Sequence, residues 1–434
     1  EEEPEEIEEL EPLEEPVLKD AEISDHNETE DNQEYESSEG DPDFLSDSPF
    51  DDKAFNDVIG IGGGAGGKFG GRFGGKRNLR AAGGSGTEQA LKDGLEWLAN
   101  HQDDDGKWDT DEFMKHDPAG DLCDGPGQPE HDVGVTGLAL LAFLGDGHTT
   151  RAGIYKERVT RGIKWLRDQQ DFESGLIGEK IGHSYMYSHG IASLAMCEAY
   201  YFSKYKILKK NAQLGINYLE RHRNPYSVWR YQPRDNDNDT SVTTWAAMAL
   251  CSGRSFGLQV NPNAVQMIGN WYDQVTDDKG RSGYTKVGER SSRKPGDHSA
   301  RFPVERGEAL TAAALLGRFM IGQEPASKAV MAKSAGLLLA QPPQWQKDRI
   351  DAYYWFFGSF AMYQMGGEFW EGWAPHLAGL LTHQRQDGNF AGSWDPVGVW
   401  DEDGGRIYAT ALYSLALQTA QRKAKLVRAP QMIR

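Results

Sequence analysis

The 434-residue sequence predicts an all-α fold, an (α/α)6 toroid of six helical hairpins preceded by a disordered N-terminal tail. Three observations carry that expectation. A helix–turn–helix pattern recurs six times between Ala90 and Gln418. The first helix of each pair carries a single apolar stripe, and the second is apolar or small almost all round.

The outer helices come first in each unit. Gly94-Leu95-Glu96-Trp97-Leu98, Gly162-Ile163-Lys164-Trp165-Leu166 and Gly215-Ile216-Asn217-Tyr218-Leu219 superpose by eye, and looser copies follow near Trp271, Leu337 and Leu380. Apolar residues at i, i+4 and i+7, as in Leu91, Leu95 and Leu98 or Val159, Ile163 and Leu166, predict one buried face. The inner helices are expected over 135–143, 191–199, 242–250, 309–316, 354–362 and 409–417. Their uniform apolarity predicts burial on every side, and six such helices can close into a ring.

Charge separates the tail from the rest. Residues 1–58 hold 25 acidic residues against two lysines, leaving 42 of the 67 acidic residues against 44 of the 46 basic ones elsewhere. The first segment has too little apolar surface to offset the entropy of ordering its backbone and reads as disordered. Residues 59–86 read as a glycine-rich basic linker, 87–422 as the repeat domain and 423–434 as a C-terminal tail. The near-neutral repeat domain gives no reason to expect nucleic acid. The chain opens on Glu1, and an acidic tail followed by a glycine linker suits a spacer. The expectation is therefore a membrane tether upstream of Glu1 and an extracytoplasmic or envelope location, with the cytoplasm as the alternative.

Several chemistries are excluded by the residues themselves. Gly62 to Lys68 imitates a phosphate loop, but Phe69 stands where a Ser or Thr should hold magnesium. Asp103, Asp105, Gly106 and Glu112 fall at calcium-loop spacing, yet the first ligand would be His101, so a solvated turn is expected. Cys123, Cys197 and Cys251 form neither a disulfide framework nor a paired metal knuckle. No Gly-x-Ser-x-Gly, His-Glu-x-x-His or dinucleotide-binding glycine motif occurs.

The turns after the outer helices carry a resemblance. Gln102-Asp103-Asp104-Asp105-Gly106-Lys107-Trp108 and Gln384-Arg385-Gln386-Asp387-Gly388-Asn389-Phe390 resemble the Gln…Gly-x-aromatic signature of the prenyltransferase and squalene oxidase repeat family. Squalene cyclases, related terpene cyclases and protein prenyltransferase beta subunits share it. Degenerate copies keep Gln170 and Gly175 ending in Ile177, then Ser227-Val228-Trp229, then Gln274 with Gly283-Tyr284, then Gln341 without a glycine. Physically, such a Gln can bond exposed helix carbonyls while Gly allows a tight turn and the aromatic covers the next hairpin.

The resemblance implies an active site, where one exists, in a central cavity near the N-termini of the inner helices. Candidate acid–base residues there are Asp132, His189, Asp239 and Glu305, and candidate ligand-binding residues are Tyr187, Trp245, Asp351, Tyr354, Arg406 and Tyr408. Any single acid at a helix start is also explained as a cap. The family's Asp-x-Asp-Asp-Thr-Ala acid motif falls on Asn236-Asp237-Asn238-Asp239-Thr240-Ser241, with an amide in the proton donor's place. The family's zinc-binding Cys falls on Gly134, and a rearranged set of Cys123, Asp132 and His189 is the remaining metal arrangement. No metal and no cofactor are expected. The expectation is a module binding an apolar small molecule, a peptide or a glycan in a polar and aromatic cavity. An enzyme of the terpene cyclase or prenyltransferase class, or a carbohydrate-active toroid, is the alternative.

Overall fold

The computed structural model describes residues 84–118 and 120–419. The expected acidic tail, nearly all of the glycine linker and the C-terminal tail lie outside the described residues.

Fourteen α-helices build the described part: α1 (Thr87–Asn100), α2 (Asp132–Gly145), α3 (Lys156–Asp168), α4 (Tyr185–Ser203), α5 (Leu208–His222), α6 (Thr240–Ser255) and α7 (Pro262–Val275). They continue with α8 (Asp297–Arg301), α9 (Ala309–Met320), α10 (Val330–Leu339), α11 (Ala352–Met365), α12 (Gly367–Trp373), α13 (Ala378–His383) and α14 (Asp401–Leu417). Among the described residues β structure is limited to three isolated bridges.

The inner helices are α2, α4, α6, α9, α11 and α14. Each packs on the next in that order, and α14 packs back on α2, so the ring closes. Burial explains their composition. Every residue of α9 is buried, as is α2 from Gly134 to Gly145. The outer helices bury one stripe only, as with Val159, Gly162, Ile163 and Leu166 of α3. Outer helices sit between consecutive inner ones, and α1 packs on α14 and α2. The sixth outer element is broken into α12, a 3-10 turn over Ala374–Leu377 and α13, with Pro375 in the turn.

The repeated turn has a common mechanism. Gln102 Nε2 donates to its own turn at Gly106 O (2.8 Å) and to Arg158 O of α3 (2.9 Å). Gln170 does the same with Gly175 O and Asn211 O of α5, both at 3.1 Å. Gln384 does so with Gly392 O (2.8 Å) and Ala90 O of α1 (2.7 Å), tying the last repeat to the first. The turn glycine lets the next outer helix approach, since a Cβ on Gly106, Gly175 or Gly392 would lie 2.2 to 2.3 Å from a backbone oxygen of that helix. The indole N–H of Trp108, Trp229 and Trp394 donates to Leu98 O, Leu219 O and Leu380 O at the outer-helix ends, at 2.7, 2.7 and 2.8 Å.

This mechanism corrects two alignments. In the sixth copy the working residues are Gly392 and Trp394, not Gly388 and Phe390. In the fourth, the bridge pairs Thr276 with Ser282, and Gly280 meets α10, so neither Gln274 nor Gly283-Tyr284 holds the signature role.

Ring closure is reinforced at Gly405, whose φ of 65° kinks the start of α14. A Cβ there would lie 2.5 Å from Gly127 N, which only glycine avoids. The 125–128 segment runs alongside, with Arg406 N donating to Gly125 O and Gln128 N to Asp403 O. No helix among the described residues is long and apolar enough to cross a membrane.

Candidate functional site

The inner-helix N-termini gather at one mouth of the ring, and α6 supplies its central residue. Asp239 is the N-cap of α6, extended at φ −141° and ψ 157°, and its Oδ1 accepts from Val242 N at 2.7 Å. Flanking backbone bonds set its neighbours: Asp239 N donates to Trp229 O (2.9 Å) and Thr240 N to Tyr284 O (3.0 Å). The chain therefore delivers Arg230, Tyr231 and Tyr284 to the same spot.

Asp239 is wholly buried, and its Oδ2 makes no hydrogen bond of ordinary geometry. The Nε of Arg230 stands 3.7 Å away, likewise without a hydrogen-bond partner. The Arg230 guanidinium lies over the rings of Tyr231 and Tyr284, at 5.0 and 5.5 Å from their centroids. The two tyrosine hydroxyls are hydrogen-bonded to each other, and Tyr187 packs its ring 6.3 Å from that of Tyr231. Burial pushes the Asp239 carboxyl up to about 7, against the opposing pull of the Val242 N–H and Arg230.

A second pair of acids lies at the starts of α11 and α14. Asp351 caps α11 by accepting from Tyr354 N at 2.9 Å, and burial raises it, with Arg293 opposing. Asp401 Oδ2 accepts from Gly398 N at 2.7 Å while its Oδ1 has no hydrogen-bond partner. Burial pushes Asp401 up to about 7, and the Asp351 charge adds to the rise. Tyr408 feels both acids, and Tyr353 feels Asp351 and Asp239, which links the two groups electrostatically. The connection from α7 to α9 folds over this side. His298 lies 2.7 Å from Val399 O, Arg301 pairs with Glu402, and Lys294 pairs with Asp403.

The other candidates have separate employment. His189 is buried with both ring nitrogens engaged, Nδ1 accepting from Ile177 N at 3.0 Å and Nε2 donating to Gly215 O at 3.2 Å. Burial lowers it to about 3, so it is a neutral strut between α4 and α5. Asp132 is held by Thr110 and Lys107. Glu305 is exposed, and the buried acid at the N-cap of α9 is Glu308, bound by Arg281 and Arg290. Tyr354 sends its hydroxyl outward to Gln341 O at 2.8 Å.

Arg406 is a clasp. It reaches Asp124 by Nε and Nη2, and Ser393 and Asp395 by Nη1, with its guanidinium 4.8 Å from the centroid of the Phe390 ring. Cys123, Asp132 and His189 have separate partners and make no common set.

The expected open aromatic cavity is filled at its middle. Trp245 of α6 stacks on Phe356 of α11, with centroids 5.8 Å apart and planes 10° apart, and meets Phe357 edge-on at 5.2 Å. In the ring α9 stands between α6 and α11, so these contacts cross the lumen. Trp245, Phe356 and Phe357 thus form an aromatic floor within the lumen. Asn238, in the place of the cyclase acid, uses its Oδ1 to accept from Asn224 Nδ2 and Val228 N, both at 3.1 Å, and fastens the loop.

Arg230, Tyr231, Tyr284 and Asp401 were missed from sequence. The first three follow the Trp229 and Ser282 turns, so counting two residues past each turn position could have flagged Tyr231 and Tyr284.

No family model and no curated protein matches the sequence. Solved structures do. Cellobiose 2-epimerase from Bacillus thermoamylovorans is similar at a TM-score of 0.51 and 13% identity, over 76% of this chain and 97% of that one. An inactive variant of an α-1,6-mannanase of Salegentibacter, in complex with an α-1,6-linked mannotetraose, is similar at 0.51 and 11%, over 77% and 98%. A type II terpene cyclase from Scytonema is similar at 0.48 and 15%, over 80% and 99%. Identities this low speak to fold alone. With its inner ring closed from α2 round to α14, the chain is an α/α toroid, sharing its architecture with the epimerase and the mannanase.

Proposed function

We propose that the mouth of the ring is a binding site for a hydroxyl-rich ligand, a glycan in preference to a terpenoid or a peptide. One observation carries this reading: Asp239 Oδ2 and Arg230 Nε are buried polar atoms that face each other at 3.7 Å with no hydrogen bond of ordinary geometry, beside the Tyr284 hydroxyl that acts on the same carboxyl. Such atoms are costly unless something binds them. A carboxyl near neutrality both donates and accepts, and flanking tyrosine faces suit sugar rings. The Trp245–Phe356 floor argues against a long apolar ligand entering the lumen.

The test is a glycan-array screen followed by calorimetry on wild type, Arg230→Ala and Asp239→Asn. The Asn variant keeps the cap acceptor for Val242 N. Loss of a hydrogen bond to a charged group predicts about 10-fold or more weaker binding for Arg230→Ala. A glycan bound equally by all three proteins, or no glycan bound by wild type, would sink the reading.

A second reading rests on the same acid. A carboxyl raised to about 7 is poised as a general acid. Release of reducing ends by wild type, abolished in Asp239→Asn with binding retained, would make the protein a carbohydrate-active enzyme.

A further inference from the structure

The loop between α1 and α2 gathers a histidine, an aspartate and a cysteine that the ring mouth does not use. His101, the first residue beyond α1, is buried and stacks on Trp97 with centroids 4.0 Å apart. Its Nδ1 lies 2.7 Å from Trp97 O and its Nε2 lies 2.9 Å from Asp117 Oδ1. Both partners are acceptors, whereas a neutral imidazole carries one N–H. With Nδ1–H given to the carbonyl, Nε2 points a lone pair at a carboxylate.

Cys123 brings a third electron-rich atom. Its Sγ lies 3.5 Å from the same Asp117 oxygen and 3.2 Å from Asn389 O. The Asp117 side chain is inaccessible to solvent, and its Oδ2 accepts from Cys123 N at 2.6 Å, which fixes carboxylate and thiol relative to each other. The three prospective donor atoms lie within 4.8 Å of one another.

We propose that His101 Nε2, Asp117 Oδ1 and Cys123 Sγ form a zinc site at the rim of the toroid. One cation satisfies all three atoms, and Zn²⁺ with one thiolate, one carboxylate and a neutral imidazole leaves no net charge to bury. Metal bonds of about 2.0 to 2.3 Å at tetrahedral angles place ligand atoms roughly 3.3 to 3.8 Å apart, so the 2.9 and 3.5 Å separations from Asp117 Oδ1 need shifts of only a few tenths of an ångström, and the third, within 4.8 Å, closes by about 1 Å at most. The Nδ1 bond to Trp97 O orients the imidazole as an outer hydrogen bond orients a metal-bound histidine. A soft thiolate beside imidazole selects zinc over magnesium or calcium.

Three protein ligands leave a fourth position. A cleft of about 570 Å³ is lined by Trp97, His101, His116, Asp117, Arg158 and Asn389 among others, so it reaches two members of the site. Water or an anionic ligand entering past Arg158 completes the coordination.

The experiment uses the full chain. Elemental analysis after expression with added zinc is expected to give about one zinc per chain, falling about 10-fold or more in Cys123→Ser and in His101→Gln, and unchanged in Cys251→Ser. Chelator-treated wild type titrated with cobalt should develop a thiolate-to-cobalt charge-transfer band with tetrahedral ligand-field absorption, a signature that does not depend on any variant folding. Wild type that takes up neither zinc nor cobalt overturns the proposal. So does a Cys123→Ser or His101→Gln protein that holds the metal as wild type does.

Discussion

Tyr353 of α11 shares a hydrogen bond of 2.9 Å with Ser241 of α6, across a lumen whose wall between them is α9. It is a polar strut directly above the Trp245–Phe356 stack. Tyr353→Phe leaves Ser241 Oγ without this partner in a buried setting, and should cost about 1 to 3 kcal/mol in urea-induced unfolding. Ser241→Ala combined with Tyr353→Phe should recover part of that loss, because both polar ends are then removed. A double variant less stable than the sum of the singles would contradict a simple paired bond.

Arg406 joins the first and last repeats through Asp124, Ser393 and Asp395. Its side chain is completely buried while that of Asp395 is partly exposed. Arg406→Ala should destabilise by about 1 to 3 kcal/mol, the cost of losing hydrogen bonds from a buried charged group whose carboxylate partners remain in reach of water. Arg406→Lys should rescue little, since an ammonium cannot reproduce a fork that reaches three residues. Limited proteolysis should find new cleavage in the 118–128 loop of both variants; a loop as resistant as in wild type would remove Arg406 from ring closure.

Asp239 makes stability depend on pH with a definite sign. Its carboxyl has an ordinary value of 3.8 and a folded value of about 7, so between them the native state holds a proton that the unfolded chain has released. The contribution is complete below 3.8 and lost as pH rises through about 7. Asp401 acts in the same direction. His189 acts oppositely: its contribution is complete above 6.5 and lost as pH falls through about 3. Asp239→Asn isolates the acid, and the stability of wild type relative to this variant should fall with rising pH by at most about 1.4 kcal/mol per unit. Parallel curves for the two proteins would mean that the carboxyl titrates normally.

Close approach of α2 and α4 depends on Gly137. A Cβ there would sit 2.9 Å from Ile191 Cγ2 and 3.1 Å from Ala192 N, and the second of these is backbone. Gly137→Val should therefore destabilise by about 1 to 3 kcal/mol, despite the removal of a helical glycine. Thermal unfolding checks it, and a raised melting temperature would show that the helices can part at little cost.

The inner helices were legible in the sequence because burial on every side erases polar residues, and α2 and α9 are buried almost throughout. Ring closure was legible only as a possibility of number. The last turn was misread because it offers two glycine–aromatic pairs, Gly388 with Phe390 and Gly392 with Trp394. The approach of Asp93 O to Gly392, with the Gln384 and Trp394 hydrogen bonds, chooses between them. Asp239 and Asp351 could be found as helix caps, whereas Asp401 hides in an acidic run beside exposed Glu402. Glu305 and Glu308 differ by three positions and by everything that burial does. The roles of His189, Tyr354 and Arg406 depend on which way each side chain leaves its helix, and pattern does not carry that information.

The bond from Gln384 to Ala90 makes the last hairpin treat the first helix as its own successor. The molecule is thus a circle cut once, and the cut falls at a junction of the same kind as those between α2 and α3 or α4 and α5. No hairpin is an end cap, and none presents the unfinished apolar flank that an open solenoid must shield. The described chain therefore begins at α1 and ends at α14 on adjoining helices, so its two ends meet at one seam of the wheel.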